Sequence, residues 1–138
     1  MAVLARATAE EMQAHLADAP ALPPHVVLRG PETGLVMARG RAGGGGAAFN
    51  LGEITVTRCT VRAGGQLGHA YITGRVGAQA LLAARLDAAL QDAAAHTALH
   101  EAVIVPLAAA QATRREATAR KAAATRVNFF TLATMRTS

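Results

Sequence analysis

The sequence predicts an α+β domain with an N-terminal helix, an antiparallel sheet of about four strands, and two or three C-terminal helices. Three observations carry this reading. Short apolar, β-branched runs punctuated by glycine and proline occupy residues 25–75, as in a β-meander. From residue 78 the apolar positions recur four apart, which is a helical period. The length, 138 residues, suits one core, since a domain takes roughly 100–200 residues. The expected organisation is one domain over 1–138, with a helical segment at 1–19, the meander at 25–75, and helices with an apolar tail at 78–132.

Thr8-Ala9-Glu10-Glu11 has capping-box spacing, so a helix should start at Thr8 and run to about Asp18 before Pro20, Pro23 and Pro24 stop it. His25 to Arg29 and Gly34 to Arg41 read as two strands with a turn at Gly30-Pro31 between them. The run Gly43 to Gly46 must be a loop. Glu53 to Arg62 is the strongest strand, although its apolar phase shifts between Ile54/Val56 and Cys59/Val61, which predicts a bulge or two half-covered faces. Ala63-Gly64-Gly65-Gln66 predicts a tight hairpin into Leu67 to Arg75. Leu82, Leu86 and Leu90 then mark an amphipathic helix to about Ala95. A further helical stretch begins near Thr97, with Pro106 either opening a new helix or kinking this one, and alanine carries it to Arg126. The tail Val127 to Leu132 holds two of the three phenylalanines, a composition suited to docking.

The apolar content of 51% is half alanine, 35 residues in all. Large apolar side chains make up about a quarter of the chain, so the core is thin. Burial stabilises by roughly 25 cal/mol per Å², and alanine supplies little area, so the chain should bury surface against a partner as well. One cysteine, one lysine, one serine (the last residue), one tyrosine and no tryptophan leave little for covalent catalysis. A lone thiol forms no internal disulfide, cysteine-only zinc site or iron–sulfur cluster, which fits a reducing compartment. No apolar run of membrane-spanning length and no secretory leader are evident, so a cytoplasmic location is expected. The whole formal excess of +5 lies between Ala112 and Arg136, where six cations face Glu116 alone. Local basicity of this kind answers an anionic partner. At 100° per residue these side chains point several ways around a helix, which argues against a duplex-binding stripe.

Motif searches narrow the chemistry further. The glycine run lacks the Gly-Lys-Ser/Thr of a phosphate loop, and no Gly-x-Ser-x-Gly exists. His96 and His100 have i, i+4 spacing, compatible with metal ligation but more simply read as solvent-facing histidines. His69, beside Tyr71, is the one weak candidate for acid–base work. Cys59 reads as a small packed side chain, and Glu53 and Arg58 invite cross-strand ion pairs. No metal site is expected.

Three ordered blocks resemble the PhnG family. They are Phe49-Asn50-Leu51-Gly52-Glu53 with Thr55-Val56-Thr57-Arg58-Cys59; Gly68-His69-Ala70-Tyr71 with Gly74-Arg75; and Lys121-Ala122-Ala123-Ala124-Thr125-Arg126-Val127 with Phe129-Phe130-Thr131. Met1 to Ala7, Leu35-Val36-Met37 and the glycine loop fit as well. The resemblance implies the small G subunit of the bacterial carbon–phosphorus lyase core complex. That subunit would act with H, I and J partners, and with L for synthase activity. The complex would form α-D-ribose 1-methylphosphonate 5-triphosphate from ATP and methylphosphonate with release of adenine. On this reading the isolated chain is not catalytic and holds no cofactor; ATP and methylphosphonate are substrates of the complex. The expected interface or anion-binding residues are Glu53, Arg58 and His69 at the hairpin and Arg120, Lys121, Thr125 and Arg126 on the last helix, with Phe129, Phe130 and Leu132 as the docking tail. The competing expectation is a free-standing nucleic-acid or polyphosphate binder that uses the basic helix.

Overall fold

The computed structural model describes residues 1–41 and 45–127. A 3₁₀ turn, Leu4–Arg6, leads into helix α1, Ala9–Leu16. The capping box forms as expected: Thr8 Oγ1 accepts from the Glu11 amide at 3.1 Å, and Glu11 Oε2 accepts from the Thr8 amide at 2.9 Å. Strands β1 (His25–Gly40), β2 (Phe49–Ala63) and β3 (Gln66–Thr73) follow and form one antiparallel sheet in the order β1-β2-β3. After them come α2 (Gly77–Ala89), α3 (Ala93–Leu99), a π-helical turn (His100–Ile104) and α4 (Val105–Ala124).

The sheet has three strands where about four were expected, because the two predicted runs at 25–41 are one strand. Val26 pairs with Arg62 before Gly30-Pro31, and Glu32 pairs with Arg58 after it, so both halves lie on the same neighbour. Gly30-Pro31 is absorbed as an irregularity in register. Gly30 has φ +72°, and a Cβ there would sit 2.5 Å from the Arg58 carbonyl oxygen, so only glycine fits. A 15-residue β2 is long enough to template both halves, and this outweighs the local turn signal.

The β2–β3 hairpin closes through Gly64 and Gly65 at φ +57° and +85°, the paired positive values of a tight hairpin turn. Strand alternation places Cys59, Val61 and Ala63 of β2 and Gly68, Ala70 and Ile72 of β3 on the face covered by α2. A Cβ on Gly68 would run into the Ala84 carbonyl and Ala88, so the helix backbone rests almost on the strand. Buried Ala80, Ala83, Ala84 and Ala88 permit that approach, while Leu82 and Leu86 fill the core with Leu4, Met12, Val103 and Leu107. The alanine content is thus partly a packing device. The phase shift in β2 is explained by two covered faces at one point: Val56 and Thr57 are both buried.

Thr57 ties the layers together. Its hydroxyl donates to the Gly74 carbonyl at 2.6 Å, accepts from the Val76 amide at 3.1 Å, and lies 3.0 Å from Thr33 Oγ1, which must therefore donate to it. On the outer edge of β3, Asp87 Oδ2 accepts from the His69 amide at 3.0 Å, and Gln91 Nε2 donates to the Leu67 carbonyl at 2.7 Å. Side chains of α2 and the residues just after it therefore occupy that edge, whereas the outer edge of β1 has no strand neighbour among the described residues.

The helix expected to reach Ala95 breaks after Ala89. Asp92 caps a new helix by accepting from the Ala94 amide at 3.0 Å, a signal that the leucine spacing masked. From Ala93 the chain is helical without a break to Ala124. The Val105 amide reaches back to the His100 carbonyl, so the π turn accommodates Pro106, which has no amide to donate and sits at the start of α4. This 32-residue helix is long and apolar enough by composition to cross a membrane, yet Leu99, Val103 and Leu107 face the protein core and alanine supplies most of the rest. Beyond Gln111, whose side chain donates to the Val3 carbonyl at 2.9 Å, α4 is exposed over nearly its whole surface and extends about 20 Å further.

Candidate functional site

The face of the sheet opposite α2 carries the polar register pairs. Glu32 and Arg58 are partners across β1 and β2, Thr60 and His69 across β2 and β3, and Arg58 lies opposite Tyr71. One carboxylate oxygen, Glu32 Oε1, accepts from the Nε of both Arg29 and Arg58, each at 2.6 Å. Arg29 first, then Arg58, hold the Glu32 carboxyl below the usual carboxylate range by hydrogen bonding to its charged form. Thr60 Oγ1 and His69 Nδ1 are 3.2 Å apart, which fixes the imidazole. Between the strands and the N-terminal turn lies a groove of about 500 Å³, bordered by Arg29, Arg58, Thr60, His69 and Tyr71 of this face and by Cys59 and Ala70 of the other, with Met1, Ala2 and Ala5 as its apolar wall.

Arg58 and His69 thus meet as the sequence suggested, and Arg58 makes the cross-strand ion pair expected of it. Glu53 does not join them. It lies opposite Met37 on the other face of the hairpin, about 16 Å along the strand from Arg58, and makes no ion pair among the described residues. Arg120, Lys121, Thr125 and Arg126 are exposed at the free end of α4 and border no part of the groove, with Thr125 Oγ1 within reach of the Lys121 and Ala122 carbonyls. Phe129, Phe130 and Leu132 lie outside the described residues. Sequence reasoning missed Arg29, Glu32 and Tyr71 as members of the site. Arg29-x-x-Glu32 had the spacing of a pair, but reading Gly30-Pro31 as a turn hid that both side chains belong to one strand face.

Other clusters have structural work. The His96 and His100 rings stack with centroids 5.8 Å apart, and His96 Nδ1 is 2.7 Å from the Leu90 carbonyl, which anchors α3 to the end of α2. Among the described residues no three of His, Cys, Asp and Glu gather as a metal site. Cys59 is buried, and burial pushes its thiol up, which keeps it neutral and unreactive. Arg114 Nη1 donates to Glu11 Oε1 at 2.5 Å, joining α4 to α1 and lowering the Glu11 carboxyl. The groove therefore offers cationic and hydrogen-bonding groups, and none of its bordering residues is an activated nucleophile.

A family model described as phosphonate metabolism protein PhnG matches residues 1–135. The chain belongs to the PhnG family. A relative from Rhizobium meliloti (strain 1021), named alpha-D-ribose 1-methylphosphonate 5-triphosphate synthase subunit PhnG, is 48% identical over 139 aligned residues, covering 96% of this chain and 85% of the relative. At that identity over that length, the α+β architecture described here is a PhnG architecture; of the sequence blocks that suggested the family, the first lies in β2, the second in β3 and just after it, and Lys121–Val127 of the third at and just past the end of α4, while Phe129, Phe130 and Thr131 lie outside the described residues.

Proposed function

We propose that this chain is the G subunit of an α-D-ribose 1-methylphosphonate 5-triphosphate synthase, acting in cytoplasmic phosphonate catabolism with H, I and J subunits and, for turnover, an L subunit. The isolated chain is not catalytic and holds no cofactor of its own; ATP and methylphosphonate are consumed by the complex. The observation that carries the reading is the arm formed by the distal halves of β1 and β2. Beyond Val56 these strands pair only with each other, and Leu35, Met37, Phe49, Leu51 and Ile54 are all exposed there, Leu51 at 62%. Large apolar side chains exposed on both faces of one arm, Leu35 and Met37 on one and Ile54 on the other, mark an interaction site on a small protein. It agrees with the word subunit in the relative's name.

The test is co-expression with H, I and J subunits from the same source, followed by size-exclusion chromatography with light scattering. Co-elution in one large species, and adenine release from ATP and methylphosphonate once L is added, is the expected result. A monomer that ignores all three partners overturns it. The second reading, a free-standing polyphosphate or nucleic-acid binder, draws on Arg120, Lys121 and Arg126 at the free end of α4. It requires the isolated chain to bind polyanions with an affinity that falls steeply with salt.

A further inference from the structure

The groove between the strands and the N-terminal turn is built for more than a surface ion pair. Arg29 and Arg58 both border it together with Thr60 and His69, and no carboxylate is among its bordering residues. Glu32 engages only the Nε–H of each arginine, so the terminal amino groups of Arg29 and Arg58 have no partner among the described residues. Two guanidiniums brought together unaided repel; one carboxylate oxygen shared between them holds them side by side in advance. A planar guanidinium fork matches the oxygens of a phosphate or phosphonate, and a pair set beforehand loses less freedom on binding. The remaining border is apolar or aromatic: the N-terminal turn, Cys59, Ala70 and the half-exposed Tyr71. The volume, about 500 Å³, falls within the range of small-molecule sites, roughly 300–1,000 Å³.

We infer that this groove binds a small organic phosphate or phosphonate, its oxyanion on the terminal amino groups of Arg29 and Arg58 and its carbon body against Tyr71 and the N-terminal turn. The inference deepens the subunit reading by giving this chain a ligand contact of its own. It rests on that reading only for the identity of the assembly. Lone inorganic phosphate would use half of the site; a ligand with a sugar or ring attached would use both halves.

The test is calorimetric titration of the full chain, free and within the co-purified assembly, with inorganic phosphate, ribose 5-phosphate and AMP as probes. Ribose 5-phosphate or AMP should bind at least tenfold more tightly than inorganic phosphate, in both the free and the assembled chain. Arg29→Gln and Arg58→Gln should each weaken that binding about tenfold. Tyr71→Ala should erase the advantage over inorganic phosphate. Both arginines are about half exposed, so the variants should keep the wild-type circular dichroism, which is checked first. No binding of any probe at millimolar concentration, equal affinity for all three, or unchanged affinity in both arginine variants overturns the inference. Binding by the free chain that vanishes on assembly also overturns it, since a partner then covers the groove. Co-elution with no probe bound defeats this inference and leaves the subunit reading standing; binding without co-elution does the reverse.

Discussion

One strand serves two environments in this molecule. From Val56 to Ala63, β2 is flanked by β1 and β3 and roofed by α2, and its Cys59 and Val61 are sealed from water. From Phe49 to Ile54 it pairs with β1 alone among the described residues, and its large apolar residues face solvent. Both halves are β-branched and apolar, so composition does not separate them; the length of β3, eight residues against fifteen for β2, does. Folding stability is therefore concentrated at the root of the hairpin, and the distal arm is free to be shaped by whatever it touches.

The sharpest way to break that contrast uses two glycines. Gly68→Val, at the root, drives a side chain into the Ala84 carbonyl, and overpacking against backbone should cost about 3 kcal/mol or more, read as a shift in the urea unfolding midpoint. Gly34→Val, opposite Val56 where the arm begins, meets nothing within 4 Å and should change stability by less than about 0.5 kcal/mol. Equal costs would mean that the arm is as constrained as the root. Thr57→Val comes next. It removes a hydroxyl and strands the Gly74 carbonyl and Val76 amide, so a loss of about 2 kcal/mol is expected in the same assay. Leu51→Asp should lower stability by no more than about 0.5 kcal/mol while abolishing co-elution with the partner subunits, which separates folding from assembly.

The smallest effect belongs to Glu32. Because its folded carboxyl titrates below the ordinary value, its contribution is fully present above the unfolded carboxylate pKa and is lost as pH falls through the lowered folded one. The difference in melting temperature between wild type and Glu32→Gln should thus be present at pH 7 and close as the pH drops below about 4. A difference that persists in strong acid would assign the effect to shape and not to charge.

Where the cause of an element was local, the sequence disclosed it. Thr8 with Glu11 fixed the first helix, Gly64-Gly65 fixed the hairpin, and Leu82 with Leu86 fixed the buried side of α2. Where the cause came from elsewhere in the chain, it stayed hidden. Gly30-Pro31 is a turn by local chemistry and an irregularity in a strand by virtue of its neighbour. Asp92 ends the leucine pattern with a cap that is visible only once the break is known. The groove is the extreme case, since Arg29, Glu32, Arg58, His69 and Tyr71 meet through register across three strands. Arg58 and His69 border one groove because the second and third strands pair as their runs suggested; Glu53 stands apart from them because strand alternation puts it on the other face, in the distal arm. The family blocks were legible because they are runs of contiguous residues, which need no folding to be read.

The two outer borders of the sheet are not equivalent. Asp87 and Gln91 already engage His69 and Leu67 along β3, so an incoming extended chain finds that side taken. Among the described residues, backbone donors and acceptors remain on offer along the outer edge of β1 and along the distal part of β2 that β3 does not reach. An added strand is therefore steered away from the root of the hairpin, to β1 or to the distal arm, where pairing and apolar contact can be made together.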